Sequence, residues 1–257
     1  YENTSISAGN TMKLTLIGFG YVGKAVHNVL QENHDVKIVD PKYNENLIED
    51  DSDGYIVCVP TPSDFIGACD MSYINNVSAH VPDNKPVLIK STMSLEGWDK
   101  LKTLGKSFNF SPEFLTAANS MNDFKNTEYM LLGGPDYDFW KNVFPFPTVK
   151  ASIEELIMVK YSVNCFLAAK VSFFNEIYNL CKATNIDYNT VASHVSMDRR
   201  IGTSHMEVPG PDGKLGFGGA CFPKDTNALV ATGLQFGSPM TILNEIVAKN
   251  NLVRDDI

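Results

Sequence analysis

Short apolar runs alternate with more polar stretches along the first 150 residues. The runs cover residues 14–17, 36–40, 55–59, 87–90, 108–110 and 129–132. Their lengths are typical of buried strands, and residues 21–31 between the first two runs have a helical pattern. Strands separated by helices favour a parallel, doubly wound sheet. The pattern therefore predicts an α/β domain over residues 12–150.

The pattern changes after Pro145-Phe-Pro147. Residues 153–184 contain no proline or glycine and are apolar on nearly every side, which predicts one long helix that is buried on most faces. Residues 201–219 contain six glycines and two prolines and are predicted to form a loop. Helices are expected to resume near Asp225 and near Thr241. Residues 151–257 are therefore predicted to form an all-helical domain.

Residues 1–11 are rich in Asn, Ser, Thr and Gly and show no periodicity. They are expected to be a disordered leader or a tag remnant ahead of Met12, which directly precedes the first strand.

Composition excludes several classes of function. The 257 residues carry a formal net charge of −9, so the overall charge offers no footprint for nucleic acid. No stretch approaches the ~18–20 uncharged apolar residues of a membrane-spanning helix, and the first residues lack the basic-then-apolar pattern of a secretory signal, so neither is expected. The five cysteines are odd in number and never spaced as CxxC, so neither a disulfide framework nor a metal site is expected. A cytoplasmic protein without a membrane partner is the simplest interpretation.

A glycine motif opens the first predicted helix. Gly18-Phe-Gly20-Tyr-Val-Gly23 follows the first strand, and Asp40 closes the next strand 22 residues after Gly18. The first glycine permits a tight turn, the second admits a pyrophosphate, and the third allows close packing of the helix. An acidic residue at this position binds the adenosine ribose and repels a 2′-phosphate, although Lys42 weakens that preference slightly. We predict a Rossmann-like domain that binds NAD.

A second motif places a cysteine at the start of a predicted helix. Cys221 follows a run of glycines and precedes Phe-Pro223-Lys224-Asp225. The helix dipole and the Lys224 ammonium both favour a thiolate there. A thiolate can add to an aldehyde, and the thiohemiacetal that results can lose a hydride to give a thioester. Cys221 is the candidate nucleophile, against the alternative of a buried structural cysteine.

Two polar side chains lie four residues apart on the predicted long helix. Lys160 and Asn164 share one face and could donate together to a developing oxyanion. The apolar neighbours Met158, Val163 and Phe166 leave little solvated face, which disfavours an ordinary surface location.

Several motifs together resemble a known family, the nucleotide-sugar dehydrogenases typified by UDP-glucose 6-dehydrogenase. The resemblance covers nearly all of the chain from Met12 onward. Besides the glycine turn, the matching segments are Val59-Pro-Thr-Pro62, Lys90-Ser-Thr92, Ser111-Pro-Glu113-Phe-Leu115, Lys160-Tyr-Ser-Val-Asn164, Phe173-Phe-Asn-Glu176, Arg200-Ile-Gly202 and Gly216-Phe-Gly-Gly-Ala-Cys221-Phe-Pro-Lys-Asp225.

The resemblance implies a four-electron oxidation, in which two NAD molecules convert a sugar C6 alcohol into a carboxylate. It implies roles for the residues that match the family's motifs. The catalytic set is Cys221, Lys160, Asn164, Asp225, Glu113 and Thr92, with Glu113 as the base for thioester hydrolysis and Thr92 near the catalytic water. The cofactor set is Gly18, Gly20, Tyr21, Val22, Gly23, Asp40, Pro60, Thr61 and Lys224. The substrate set is Phe114, Leu115, Arg200, Phe217, Gly218 and Gly219.

Both the apolar pattern of the long helix and the family resemblance predict a homodimer. The long apolar helix exposes more hydrophobic surface than one small domain can cover, so a homodimer through residues 153–184 is expected. In the family, the counterpart of Arg200 reaches the sugar across the dimer interface. Arg199 and Arg200 could instead be a solvated pair.

Three departures from the family pattern are visible. The family carries a second glutamate four residues after Glu113, where this chain has Ala117. The segment from Ser204 to Lys214 is unlike the usual short loop. Family members continue into a third domain that closes over the nucleotide, and this sequence stops at Ile257, so weak nucleotide binding is expected.

Other functions stay open at this point. A dehydrogenase of GDP-mannose or another nucleotide sugar would share every motif. A two-electron hydroxyacid dehydrogenase would share the glycine turn and the Lys–Asn helix but would not need Cys221. A catalytically weak binding module, acting beside a full-length enzyme, would explain Ala117.

Overall fold

The computed structural model describes residues 11–43, 48–49 and 51–254. The predicted leader lies outside the described residues except for Thr11. The chain divides into two compact units: Tyr1–Pro62 with Cys69–Lys160, and Ser63–Ala68 with Tyr161–Ile257. Each unit has its own hydrophobic core.

The first unit is built on a five-stranded, wholly parallel sheet of strand order β2-β1-β3-β4-β5. Its strands are β1 Lys13–Ile17, β2 Asp35–Val39, β3 Gly54–Val57, β4 Val87–Ile89 and β5 Phe108–Phe110. Because β1 pairs with both β2 and β3, the chain reverses its direction of winding at β1. The predicted doubly wound parallel sheet is confirmed.

The apolar run at residues 129–132 forms a strand in a separate, smaller sheet. Strands β6 Met130–Leu132 and β7 Thr148–Lys150 pair in parallel, and a single antiparallel bridge joins Phe110 to Gly133. Strand β7 has only three residues and is largely exposed. Its sequence therefore shows no apolar run from which a strand could be predicted.

In the described part of the first unit, five α-helices alternate with these strands along the chain. They are α1 Tyr21–Leu30, α2 Ser72–His80, α3 Leu95–Leu101, α4 Ser120–Lys125 and α5 Tyr137–Val143. Helix α3 begins where Ser94 Oγ accepts a hydrogen bond from the Gly97 amide at 3.0 Å, an N-cap that satisfies one of the exposed amides of the first turn. Residues of strands and helices share one core, including Leu16, Val26, Ile56, Leu88, Phe124, Leu132 and Trp140.

The long helix α6 spans Ile153–Ala183, one residue short of the predicted end. The division between the two compact units falls within this helix, after Lys160. Its first turns pack on the first unit, where Trp98 Nε1 donates to Glu154 Oε1 at 2.8 Å. A Cβ at Gly133 would lie 3.1 Å from the Leu156 side chain.

The expectation that α6 is buried on most faces is wrong for the single chain. Phe166, Phe173 and Leu180 are 69%, 57% and 61% exposed. By length and mean hydropathy, α6 is long and apolar enough to cross a membrane. The expectation that no stretch comes close is therefore wrong. Within the most apolar 18 residues of α6, 50% are buried inside the chain. Such partial burial is typical of a core helix with one uncovered face.

The second unit is helical, as predicted. After α6 come α7 Tyr188–Val195, α8 Phe222–Gln235 and α9 Thr241–Val253. Residues 196–221 contain neither helix nor strand, so the predicted loop is confirmed. Tyr188 donates to the Met206 carbonyl at 2.5 Å and ties this loop to a core that contains Phe174, Cys181 and Val208.

Candidate active site

The three glycines of the first turn have different surroundings. Gly18 has a φ of +93°, and a Cβ there would lie 2.7 Å from the Cys58 carbonyl oxygen. A Cβ at Gly23 would lie 2.1 Å from the Gly18 oxygen, whereas a Cβ at Gly20 would have no heavy atom within 4 Å. Gly18 and Gly23 are therefore required for packing, and Gly20 leaves a patch of backbone open to a ligand.

Asp40 closes this turn from the end of β2. Its Oδ2 accepts a hydrogen bond from the Phe19 amide at 2.6 Å, and its Oδ1 accepts one from the Lys42 amide at 2.8 Å. The bond from Phe19 connects the carboxylate to the turn, in the place where an adenosine ribose is held in dinucleotide-binding folds.

A cavity of about 410 Å³ lies beside the turn. Its lining residues are Phe19, Gly20, Tyr21, Lys24, Asp40, Lys42, Tyr43, Ala117, Ser120 and Met121. The Lys24 ammonium lies 5.4 Å from the centre of the Tyr43 ring. The open backbone at Gly20, the carboxylate and the adjoining cations fit the pyrophosphate and ribose of NAD.

The other predicted cofactor residues of the first unit lie in the first turn of α1 and in the segment after β3. Val22 is half-buried and packs on the core. Pro60 is exposed and Thr61 is buried, just beyond β3.

The buried Lys90 forms an ion pair with Glu113. The Lys90 side chain has no exposed surface; it forms an ion pair with Glu113 Oε1 and donates to Ser111 Oγ at 3.0 Å. Its ammonium also lies 5.6 Å and 5.4 Å from the ring centres of Phe124 and Phe144. A buried ammonium needs a partner of opposite charge, and Glu113 supplies it. The sequence reasoning gave Lys90 no role, although one lysine at the end of an apolar strand was a usable signal.

Lys160 approaches the same loop from α6. Its ammonium is buried, donates to the backbone carbonyl of Glu113 and lies 5.1 Å from the centre of the half-exposed Phe114 ring. The structure thus brings Lys90, Glu113 and Lys160 together in the first unit. Leu115 packs against the core cluster, and the Thr92 carbonyl accepts a hydrogen bond from Cys69 Sγ at 3.6 Å.

Asp225 organises a polar network in the second unit. It is fully buried; its Oδ2 accepts from Asn164 Nδ2 at 2.6 Å, and its Oδ1 accepts from Lys224 Nζ at 2.5 Å. The Cys165 thiol donates to the Asp225 carbonyl at 3.5 Å. Three residues of the predicted site, Asn164, Lys224 and Asp225, are therefore in direct contact.

Cys221 lies at the N-cap of α8, and Pro223 occupies its first turn. The structure leaves it half-buried, whereas the other four cysteines are buried. Burial raises the pKa of Cys58 to about 12, and burial together with the Asp225 charge raises the pKa of Cys165 to about 12. Among the five cysteines, Cys221 is the one whose residue is partly exposed to solvent.

The predicted substrate residues of the second unit differ in exposure. Arg200 is exposed and paired with Asp198 at 2.6 Å, and this pairing raises the pKa of Arg200. The Phe217 ring is buried and packs edge-on to Phe222, with ring centres 6.5 Å apart. Gly219 has a φ of +77° and open space around it.

Sequence reasoning missed the residues that hold the glycine segment before Cys221. Asn175, Asn250 and Arg254 are buried and donate to or accept from the backbone of residues 215–217. Asn175 lies within one of the matching motifs, but nothing in the sequence marks Asn250 or Arg254.

No three His, Cys, Asp or Glu side chains within residues 11–43, 48–49 and 51–254 form a group that could hold a metal ion.

Comparison with known proteins gives two matching models of one family. The NAD binding domain of the UDP-glucose/GDP-mannose dehydrogenase family matches residues 41–143, and its central domain matches residues 154–252. A UDP-glucose 6-dehydrogenase of Bacillus subtilis is 30% identical over 79% of this chain and 47% of its own length. One of Rickettsia bellii is 33% identical over 73% of this chain and 46% of its own. The chain spans about half the length of these relatives.

Solved structures agree with this assignment. The UDP-glucose dehydrogenase of Pyrobaculum islandicum superposes with a TM-score of 0.82 at 26% identity, over 94% of this chain and 68% of that one. A 3-hydroxyisobutyrate dehydrogenase of Mycobacterium tuberculosis shares the fold alone, with a TM-score of 0.74 at 14% identity over 95% of this chain and 94% of that one. Since the two matched segments cover well over half of the sequence and the fold agrees, the chain belongs to the UDP-glucose/GDP-mannose dehydrogenase family, whose N-terminal domain binds NAD.

Proposed function

We propose that this chain oxidises the C6 hydroxymethyl group of UDP-glucose to the carboxylate of UDP-glucuronate. The observation that carries the proposal is the half-buried Cys221 thiol at the start of α8, four residues before the buried Asp225. A protein that only bound a nucleotide sugar would have no use for such a thiol. UDP-glucose is the substrate named for the relatives in Bacillus, Rickettsia and Pyrobaculum.

The proposed chemistry consumes one water and two NAD per sugar. NAD supplies the hydride acceptor for both oxidations. After the alcohol has become an aldehyde, the Cys221 sulfur adds to the carbonyl carbon, and the oxygen takes a proton to give a thiohemiacetal. Loss of hydride from that carbon and of the hydroxyl proton gives a thioester. Water then adds to the thioester carbon, the C–S bond breaks, and the thiolate leaves with the carboxylate as product.

Lys160 and Asn164 are proposed to stabilise the oxygen at C6 when it carries negative charge. The bond from Lys160 to the Glu113 carbonyl holds the ammonium beside the segment that contains Glu113 and Phe114. Donors already fixed in place stabilise developing charge without reorganisation. The bond from Asn164 to Asp225 fixes the Asn164 amide in this way.

Glu113 is proposed to orient the water that hydrolyses the thioester, with Thr92 as a second polar contact. The Lys90 ion pair holds the Glu113 carboxylate at the end of β5. Asp225 is proposed to hold Lys224, which would otherwise be free to move toward phosphate oxygens. Phe114, Leu115, Arg200 and the backbone of residues 217–219 are the proposed sugar contacts.

A homodimer through α6 is part of the proposal. The exposed apolar residues Val159, Val163, Phe166, Phe173 and Leu180 follow one another at spacings of three, four or seven. This is the seam pattern of two helices that pack side by side. Lys170 lies on the same line, but its ammonium donates to the Ile201 carbonyl at 2.9 Å and is thereby turned toward the loop. A cytoplasmic location is proposed because none of the five cysteines, all within the described residues, forms a disulfide, which suits a reducing compartment.

One observation favours a slower variant of the same reaction. Ala117 is exposed, lines the cavity beside the glycine turn and replaces a carboxylate that the family motif carries. Hydrolysis of the thioester would then rest on Glu113 and Asp225. We therefore keep a catalytically weak NAD or nucleotide-sugar binding protein as the second candidate.

The test is the stoichiometry of NADH formation. Protein with excess NAD and limiting UDP-glucose is followed by absorbance to completion, with GDP-mannose, UDP-galactose and UDP-N-acetylglucosamine in parallel. We expect two NADH per UDP-glucose. Cys221→Ser should lower the rate of NADH formation by at least about 10³-fold. One NADH per site with sugar retained on Cys221 would mean stalled hydrolysis. No NADH despite NAD binding would favour the binding protein, and full turnover by Cys221→Ser would favour a two-electron dehydrogenase.

A further inference from the structure

The glycine segment 216–219, immediately before Cys221, has its backbone held by side chains from two helices. Asn250 of α9 is 1% exposed; its Oδ1 accepts from the Phe217 amide at 2.8 Å and its Nδ2 donates to the Phe217 carbonyl at 2.9 Å. Asn175 of α6 accepts from the Gly216 amide at 2.9 Å. An asparagine thus pairs with both polar groups of Phe217, as a neighbouring strand would.

Arg254 fills the space beneath the same segment. Its side chain is 2% exposed, donates to the Leu215 carbonyl at 3.3 Å and forms an ion pair with Asp212 at 2.6 Å. The hydrogen bond from Arg254 lowers the pKa of Asp212, which keeps this partner ionised at neutral pH. A buried guanidinium with partners on both sides is a fixed support rather than a mobile surface charge.

At two of the glycines, a Cβ would collide with these supporting side chains. A Cβ at Gly218 would lie 1.9 Å from Arg254 Nη2, and a Cβ at Gly216 would lie 2.3 Å from Asn250 Oδ1. A Cβ at Gly219 would meet nothing within 4 Å. The segment is therefore closely packed up to Gly218 and open from Gly219 to the thiol.

We propose that Asn250 and Arg254 are positioning residues that hold the glycine segment, and with it Cys221, in the geometry that reacts. The proposal rests on the proposed function, in which Cys221 is the nucleophile. Two bonds at Phe217 and a guanidinium beneath Gly218 restrain the backbone three to four residues before the sulfur. Without them the backbone of the segment gains freedom, and the thiol spends less time where an aldehyde carbon can be attacked.

A purely structural role would look different. It predicts that substitutions lower the stability of the second unit and leave the surviving folded molecules fully active. A positioning role predicts a change in Cys221 itself, in protein that is still folded.

The first experiment measures the reactivity of Cys221 without substrate or NAD. Carboxamidomethylation by iodoacetamide is followed by mass spectrometry of the Cys221 peptide for wild type, Asn250→Ala, Arg254→Ala and Arg254→Lys. The control is Asn251→Ala, one residue further along α9 at an exposed position. We expect the rate to change at least fivefold in Asn250→Ala and Arg254→Ala, to lie closer to wild type in Arg254→Lys, and to be unchanged in the control. Wild-type rates in both alanine variants, with only a lower urea midpoint, would overturn the proposal.

The second experiment uses the contact between Gly218 and Arg254. Gly218→Ala alone should disturb the segment, because its Cβ collides with the guanidinium. In the double variant Gly218→Ala with Arg254→Ala, the added methyl group no longer meets the guanidinium. The effects of the two substitutions on the logarithm of the alkylation rate should therefore be less than additive. If Gly218→Ala is poorly folded, Asn250→Ala and Arg254→Lys still test the proposal. Strict additivity would contradict the proposed contact.

NADH formation separates this inference from the proposed function. If wild type oxidises UDP-glucose, the alanine variants should lose at least tenfold in kcat with less than threefold change in KM. If wild type oxidises no sugar while the alkylation rate still depends on Asn250 and Arg254, the proposed function fails and the positioning role stands. If wild type is active, a wild-type kcat in folded Asn250→Ala would overturn the positioning role.

Discussion

Asn164 donates a hydrogen bond to Asp225 over 2.6 Å, joining two residues 61 positions apart in the sequence. Both side chains are buried, and Lys224 completes the network on the other carboxylate oxygen. A bond from a neutral donor to a buried carboxylate is stronger than a bond between two neutral groups. The pair therefore links the proposed oxyanion donor on α6 to the helix that begins at Cys221.

The first prediction is that Asn164 and Asp225 act as a unit. Asn164→Ala and Asp225→Ala should each lower kcat, and the double variant should lose far less than the product of the two effects, because the second change removes a bond that the first has already broken. The unfolding free energies should show a coupling of about 1–3 kcal/mol. Urea titration and NADH formation measure both quantities. Independent effects in both assays would contradict the linkage.

The ion pair between Lys90 and Glu113 gives the second prediction. Lys90→Met leaves Glu113 without its cation in a largely buried place and should cost about 2–4 kcal/mol of unfolding free energy. Lys90→Met with Glu113→Gln removes both charges and should recover more than half of that loss. The control is Lys100→Met, since the exposed pair of Lys100 and Glu96 is expected to be worth less than about 0.5 kcal/mol. Equal losses in the two single variants would contradict burial of the pair.

Gly20→Ala separates folding from NAD binding. Gly20 has a φ of −73° and open space for a Cβ, so alanine should fold as well as or better than glycine there. The added methyl group would stand where the pyrophosphate approaches, and the Kd for NAD should rise about tenfold or more. Calorimetric titration with NAD and a thermal melt measure the two effects.

Gly23→Ala is the matched contrast for this prediction. Its Cβ would lie 2.1 Å from the Gly18 oxygen, so it should lower stability sharply. A Gly20→Ala protein that binds NAD within twofold of wild type would show that the nucleotide does not lie against the turn.

The fourth prediction concerns thiol reactivity and pH. Burial disfavours the charged thiolate and therefore raises the pKa, to about 12 for both Cys58 and Cys165. At pH 8 only about one molecule in 10⁴ would carry either thiolate, and at pH 9 about one in 10³. Iodoacetamide should therefore label Cys221 first in the native protein over this whole range, with peptide mass spectrometry as the readout. Labelling of Cys165 as fast as Cys221 would contradict the burial.

Local signals in the sequence were sufficient for the fold and the glycine turn. The turn at Gly18 and the carboxylate at Asp40 depend on adjacent strand ends, whose apolar runs are readable without tertiary information. The Lys90–Glu113 pair joins the segments that follow two different strands, and the bonds of Asn250 to Phe217 span 33 residues. No periodicity or propensity encodes such contacts, so the support of the proposed site became visible only in three dimensions.

The long helix shows the same limit in another way. Its length followed from the absence of proline and glycine, but its exposure depends on what packs against it. Apolar composition alone could not distinguish a helix buried within one chain from a helix that pairs with a second copy. The exposed apolar residues Phe166 and Phe173 support the proposed pairing with a second copy, and they lead to the last prediction.

Phe166→Glu with Phe173→Glu should convert the proposed homodimer into monomers. Two carboxylates on the seam would each have to be desolvated and would face their symmetry mates, which opposes association. Sedimentation velocity over a range of protein concentrations measures the change. Leu252→Glu is the control, because Leu252 on α9 is 82% exposed and lies off the seam. A dimer that survives both glutamates, or that is lost equally in Leu252→Glu, would show that the copies associate through another face. In that case the exposed seam on α6 would not be the interface.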